Sequence, residues 1–189
     1  MSQITTLEQL RELYSQPAPL AVAKDLHHID KHTRTFIENS TLFFLSSQAR
    51  GGFLDISPRG GEAGFVKVLD DNTLAFPDSP GNNRLDTLTN LLENPRVGML
   101  FVVPGIDDIV RIRGMASIHI EEKSREFCLD GNTVPKLVIK VAVDTLLFHC
   151  PKALMKADIW SQSTYQSREF LPSLLTIIKE QQVEKHQRG

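Results

Sequence analysis

GGFLDISPRGGEAGFVKVLDDNTLAFPDSPGNNRLDTLTNLLENPRVGMLFVV, residues 51–103, decides how the rest of the chain is read. Gly51-Gly52 is a turn signal, and residues 53–57 then place Phe53, Asp55 and Ser57 on one strand face and Leu54 with Ile56 on the other. Pro58 has no N–H to give a ladder, so this strand is expected to stop at Ser57. Ser57-Pro58-Arg59-Gly60-Gly61 then reads as a turn whose glycines permit positive φ, presenting successive N–H groups beside a fixed cation. Residues 64–69 alternate Phe65, Lys67 and Leu69 against Val66 and Val68. A lysine between two apolar residues on one face either snorkels past them or faces an anion. Asp70-Asp71-Asn72 turns the chain back through residues 73–76, and Pro77-Asp78-Ser79-Pro80 ends that strand.

At Asn82-Asn83 the chain enters a helix with Leu85, Leu88, Leu91 and Leu92 as its apolar stripe. Asn83 is read as the N-cap, with Asp86 three residues on imitating a capping box. Arg84 would then sit in the first turn, where the helix dipole disfavours a cation unless an anion is near. Asn94-Pro95 terminates the helix, and residues 97–103 form a continuous apolar strand of the kind buried on both faces, in a barrel interior or a dimer interface. Cations and free N–H groups thus recur at the ends of these elements, where proteins hold anions such as phosphate.

Outward from this stretch, residues 6–14 read as a short amphipathic helix that packs as an outer flap and that Pro17-Ala18-Pro19 ends. Residues 30–40 read as a second helix and residues 41–47 as the first strand. Residues 109–120 alternate again, with Arg111 and Arg113 on one face; residues 121–130 have the charge density of an exposed helix. Residues 136–148 are β-branched and form the last long strand, followed by helical segments at 153–158 and 172–182 and a frayed tail from residue 184. Many strands with few, irregularly placed helices exclude a doubly wound sheet. The expectation is a mainly β fold, a six- to seven-stranded antiparallel split β-barrel with peripheral helices. Residues 1–40 would be a helical extension packed on it, residues 41–160 the barrel, and residues 161–189 a C-terminal helix and tail.

A net charge of −2 gives no overall nucleic-acid footprint, so any basic site is local. The longest apolar runs are too short to span a bilayer, and the first residues lack the charged start and apolar run of a secretory signal. Two cysteines, Cys128 and Cys150, sit outside any C-x-x-C pair, which fits a cytoplasmic protein with ordinary thiols. His28 and His32 are four apart but lack the glutamate of H-E-x-x-H, so they read as a polar helix face and no metal site is expected. Cys150 beside His149 reads as a buried structural cysteine, and neither a Ser-His-Asp spacing nor a nucleophile elbow is present.

GGFLDISPRG, FVKVLDDNTLAFPD, the N-x-R to N-P helix NNRLDTLTNLLENPRVGMLF, and FHCPKALMKADIW together resemble the pyridoxamine 5′-phosphate oxidase-like proteins with the FMN-binding split barrel. The resemblance runs over residues 41–160 and is nearest to the branch of probable FMN-dependent enzymes. It implies a homodimer with FMN at the subunit interface and a small-molecule substrate. Position by position it implies Arg59, Lys67, Asn82, Asn83 and Arg84 around the phosphate and ribityl chain, and Asp78 with the backbone near Phe76 and Pro77 beside the ring. Lys152, or a backbone N–H near Cys150, would donate to the flavin, and Trp160 of the partner would cover it. Where the oxidases carry Ser-Arg-Lys, this chain has Asn83-Arg84-Leu85, and Tyr165-Gln166-Ser167-Arg168 only faintly matches their C-terminal segment, so pyridoxamine phosphate oxidation is not expected. The resemblance implies an FMN-dependent oxidoreductase. Non-catalytic binding or storage of a flavin, deazaflavin or haem, and a cofactor-free dimeric scaffold, stand as alternatives.

Overall fold

Phe43 and Leu45 point inward from β1 (Leu42–Gln48), as strand alternation requires, and both are fully buried. The computed structural model describes residues 3–188. After β1 come β2 (Leu54–Gly60), β3 (Lys67–Val68), β4 (Thr73–Pro77), β5 (Arg96–Val102), β6 (Ile109–His119) and β7 (Val138–His149). Every pairing is antiparallel, and the order across the sheet is β2-β1-β5-β6-β7-β4-β3.

β1 and β4 are four strand steps apart, about 19 Å in a flat sheet at ~4.8 Å per step. Yet the ring of Phe43 lies 5.0 Å from that of Phe76 on β4, edge to face, and 5.1 Å from that of its neighbour Phe101 on β5. The sheet is therefore curled into a barrel. Its two edges, β2 and β3, share no ladder, which makes the barrel split. Phe65, in the connection between them, closes the gap by stacking on Phe43 at 5.7 Å.

Two features let the sheet curl. The β6–β7 register shifts between Arg113 and Gly114, a bulge that bends the strand. At Gly114 a Cβ would lie 2.3 Å from the Ala142 carbonyl oxygen, so only glycine lets the two strands approach this closely. β5 buries Val97, Met99 and Phe101 on the inside, while Gly98 and Leu100 between them are half-buried outside. The apolar run is thus enclosed fully on one face rather than on both.

β2 corrects the sequence reading most. It continues through Pro58, Arg59 and Gly60, paired with Phe44, Phe43 and Leu42, and neither Gly60 nor Gly61 has positive φ. Pro58 is tolerated because β2 is an edge strand, where a missing N–H breaks no second ladder. The expected nest of glycine N–H groups is therefore a strand end.

Two helices cover the barrel interior. α3 (Lys31–Asn39) follows α1 (Leu7–Leu13) and α2 (Pro19–Ala23); Asp30 caps it by accepting from the Thr33 N–H at 2.9 Å, and its carboxyl lies below its ordinary pKa chiefly through the Thr33 side chain, with the backbone N–H adding a smaller share. Ile37 is its buried anchor, and Arg34 pairs with Asp71 at 3.2 Å on the β3–β4 hairpin. α4 (Asp86–Glu93) buries Thr87 and Leu91, and its Asn90 donates to the buried Ser47 hydroxyl at 3.0 Å. α5 (Glu122–Phe127) and α6 (Lys152–Ala157) flank the β7 ends of the chain.

α1 has no buried residue: Leu7, Leu10 and Leu13 are all exposed, contrary to a flap packed on the barrel. Pro19 opens α2 instead of merely ending a helix, the role its fixed φ suits at N1. α7 (Leu174–Arg188) runs through the tail expected to fray, and none of its residues is buried. Among the described residues no helix is long and apolar enough to cross a membrane.

Gly114→Ala is expected to lower unfolding stability by about 1–3 kcal/mol, the cost of overpacking a closed core, read from the urea midpoint. An unchanged midpoint would mean that the bulge does not hold the strands this close.

Candidate functional site

The pleat of β2 aims Asp55, Ser57 and Arg59 to one side, and α4 crosses that side with Thr87. Arg59 Nη2 donates to Thr87 Oγ1 at 3.1 Å, and the Ser57 and Thr87 hydroxyls are 3.4 Å apart. Arg59 Nη1 lies 3.6 Å from Asp78 Oδ1, just beyond the end of β4, where the Asp78 N–H is fixed by donating to the Leu137 carbonyl at 3.1 Å. Both side chains are mostly buried, at 21% and 20% exposure. Arg59 Nε is buried and has no hydrogen-bond partner among the described residues.

A buried N–H donor on a guanidinium, left without an acceptor, is costly, and the group that best satisfies it is an anion. The same Asp78 limits the site. Burial pushes its carboxyl above the ordinary aspartate pKa, opposed by the charges of Arg59 and Lys136 and reinforced by Asp130. Desolvation thus outweighs the pull of the ion pair, and Asp78 competes with any incoming anion for one guanidinium.

The chain before α4 is where the sequence reading and the structure differ next. Asn83 and Leu85 have φ of 59° and 60°, left-handed values that are uncommon outside glycine. The helix starts at Asp86, with Leu85 at the N-cap and no side-chain cap, so Asn83 is not the cap and Asp86 does not close a box onto it. Asn82 Oδ1 accepts from the Arg84 N–H at 3.0 Å, holding the turn. Arg84 is mostly exposed and donates from Nε to Asp86 at 2.9 Å, the main reason its charged form is favoured, with Asp55 adding a smaller share. The buried helix face is Thr87 and Leu91 with Leu88 partly covered; Leu85 and Leu92 face solvent.

The other expected residues lie further off. Lys67 pairs with Ala75 and holds its ammonium 6.0 Å from the centre of the Phe127 ring, over α5, rather than sharing a face with Phe65. Phe76 is fully buried in the barrel, so its side chain is not open to a ligand; Pro77 is buried beside Val138. Lys152 begins α6 and is exposed. Trp160 is half-buried, and its Nε1 is a second buried donor without a partner among the described residues. Cys150 is exposed after the end of β7, against the expectation of burial, and the buried thiol is Cys128, where desolvation raises the pKa.

Ser57 and Thr87 are the functional candidates that sequence reading passed over. Ser57 was visible through its shared strand face with Asp55 and, once β2 runs on, with Arg59. Thr87 offered only a hydroxyl interrupting a leucine stripe.

The pyridoxamine 5′-phosphate oxidase family model matches residues 29–150, more than half of the chain. The chain belongs to the pyridoxamine 5′-phosphate oxidase-like, FMN-binding split-barrel family. Among solved structures, a tagged histidine-to-alanine variant of HupZ from Group A Streptococcus is 22% identical, with 64% of this chain and 99% of that one covered at a TM-score of 0.53. Tagged HupZ without that substitution is also 22% identical, covering 62% and 91% at 0.50. An FMN-binding protein from Syntrophomonas wolfei is 15% identical over 76% of this chain and 97% of that one, at 0.48. At these identities the HupZ structures establish the shared fold alone. No curated protein sequence matches the chain.

Asp78→Asn keeps an oxygen acceptor for Arg59 and removes the buried charge. A raised carboxyl pKa contributes stability that is present below the unfolded value, near 3.8, and is lost as pH rises through the folded value. The variant is therefore expected to have a higher urea midpoint than the parent at pH 7, with the gain shrinking as pH falls toward that range. A lower midpoint at pH 7 would mean that the Arg59 ion pair outweighs the burial cost.

Proposed function

We propose that this protein is an FMN-dependent oxidoreductase acting on a small molecule, with residues 41–160 as the cofactor-binding unit. The observation that carries the reading is the buried Nε of Arg59, without a hydrogen-bond partner among the described residues, on a guanidinium whose Nη2 donates to Thr87 at the start of α4, where the Ser57 hydroxyl lies 3.4 Å from that of Thr87. Arg59 would take the phosphate, with Thr87 and Ser57 as neutral donors and the Asn82–Arg84 turn alongside. When bound, the flavin supplies the hydride and electron chemistry; the chain's part is to hold it and to shape the electrostatics around it.

A homodimer belongs to the same reading. Phe44, Leu54 and Ile56 project from the outer side of β1 and β2 at 36%, 71% and 67% exposure, next to Leu100 on β5. An apolar sheet face of this kind is suited to a second copy. Lys152 and the Trp160 indole would then meet the flavin of the partner subunit; among the described residues the Arg59 side chain bonds to Thr87 and Asp78 and to neither of them. Lys67, held over Phe127, would need to swing away from α5 to take part.

The test is the absorbance spectrum and mass of the small molecule that co-purifies, followed by FMN titration of the parent and of Arg59→Ala. Flavin bands and a roughly 10- to 100-fold weaker Kd in the variant are expected, the range for one charged hydrogen-bonding group. Absence of flavin bands together with no spectral response to added FMN would overturn the cofactor assignment. Bound flavin that no nicotinamide donor reduces would overturn the oxidoreductase part alone.

A further inference from the structure

β6 extends past the end of β5. Arg96, the first residue of β5, pairs with Met115, and the last bond on that side runs from the Ala116 N–H to the Pro95 carbonyl at 2.7 Å. Beyond it, Ser117 and His119 pair only with β7, opposite Lys140 and Val138. Residues 117, 119 and 121 follow one another at the strand period, so their side chains gather on the outer face.

There they form a relay. The Ser117 hydroxyl is 2.7 Å from His119 Nε2, and His119 Nδ1 is 3.2 Å from Glu121 Oε1. Glu121 is a carboxylate, acceptor only, so Nδ1 carries the proton it receives, and Nε2 is left as the acceptor for the Ser117 O–H. Acceptance from His119 is the main reason the Glu121 carboxyl lies below its ordinary pKa, and Lys140 adds to the effect, which places that ammonium within electrostatic reach. Ser117 is exposed, Glu121 is 61% exposed and the His119 side chain 26%. Histidine is therefore the sheltered member and the hydroxyl the open one, as a nucleophile requires.

From this geometry we propose a second activity: Ser117, His119 and Glu121 act as a serine-esterase relay on small, sterically open carboxylic esters, independent of the flavin site. The roles are those of nucleophile, general base and orienting carboxylate. Lys140 is directly across the ladder from Ser117 and is the cation assigned to the oxyanion. In acylation the Ser117 Oγ bonds to the ester carbonyl carbon, its proton passes to His119 Nε2, and the bond from that carbon to the leaving oxygen breaks. The leaving oxygen takes the proton from His119 and departs as the alcohol. Water then adds to the acyl carbon with its proton going to His119; the Oγ–carbon bond breaks, Ser117 recovers a proton, and the carboxylic acid is released. Ester and water are consumed, and no oxidant or reductant is needed. The three residues are no Ser-His-Asp spacing in the sequence: the carboxylate is a glutamate, and the constellation comes from alternate positions along the end of β6 and the residues after it.

The experiment uses the purified full chain with p-nitrophenyl acetate as substrate and a fluorophosphonate as the covalent probe. Ser117→Ala and His119→Ala are each expected to lower the protein-dependent hydrolysis about 100-fold, the low end of the range for a positioned base, and Glu121→Gln to lower it less. Peptide mass spectrometry is expected to find the adduct on Ser117 in the parent and not in His119→Ala. Flavin content is expected to be equal in the parent and Ser117→Ala, which separates loss of the relay from loss of the fold. Absence of the Ser117 adduct, or hydrolysis equal in the parent and Ser117→Ala, overturns the proposal.

Discussion

Phe43 meeting Phe76 across the barrel is the contact on which the remaining architecture depends. Strands four steps apart touch only if the sheet closes, and closure is what turns one face of β1, β4 and β5 into an interior. Aromatic pairs of this type add about 0.5–1.5 kcal/mol each beyond the area they bury. Their larger effect here is geometric. With Phe43 fixed inside, its ladder partner Arg59 on β2 is also turned to the inner side, and α4 is laid against it.

That placement creates the electrostatic problem at the candidate site. A guanidinium is drawn out of water with one hydroxyl and one carboxylate to satisfy it, and its Nε has no partner among the described residues. The carboxylate is itself poorly solvated, so the pair is held together less by mutual attraction than by the strand ends that carry it. An anion arriving at Arg59 would complete the donor set and compete with Asp78 in one step. The neighbouring turn, with Asn83 and Leu85 in left-handed conformations, is the local backbone that an incoming ligand would meet.

Strand order could not be read from the chain, but most strands could, because the apolar runs at 41–47 and 97–103 and the alternation at 109–120 are local signals. The barrel class followed from the number of strands and from the resemblance. Pro58 misled the reading: a proline stops an interior strand, and only the three-dimensional order shows that β2 lies at an edge. The Asn83 cap failed for a related reason, since a cap depends on backbone dihedrals that the loop before α4 takes from its surroundings. Arg59 was legible as a basic residue beside a turn. Its partners were not, because Ser57, Asp78 and Thr87 come from three elements joined only by closure. Leu7, Leu10 and Leu13 show the opposite failure, a good local helix pattern without a surface to cover.

The central claim is that Arg59 and the hydroxyls beside it hold the phosphate of a flavin. Comparing FMN with riboflavin tests it most directly, because the two differ only in that phosphate. Calorimetric titration of the apoprotein should give FMN a Kd at least about tenfold lower than riboflavin, a difference of ~1.4 kcal/mol or more that largely vanishes in Arg59→Ala. Equal affinity for the two ligands in the parent protein would contradict the account.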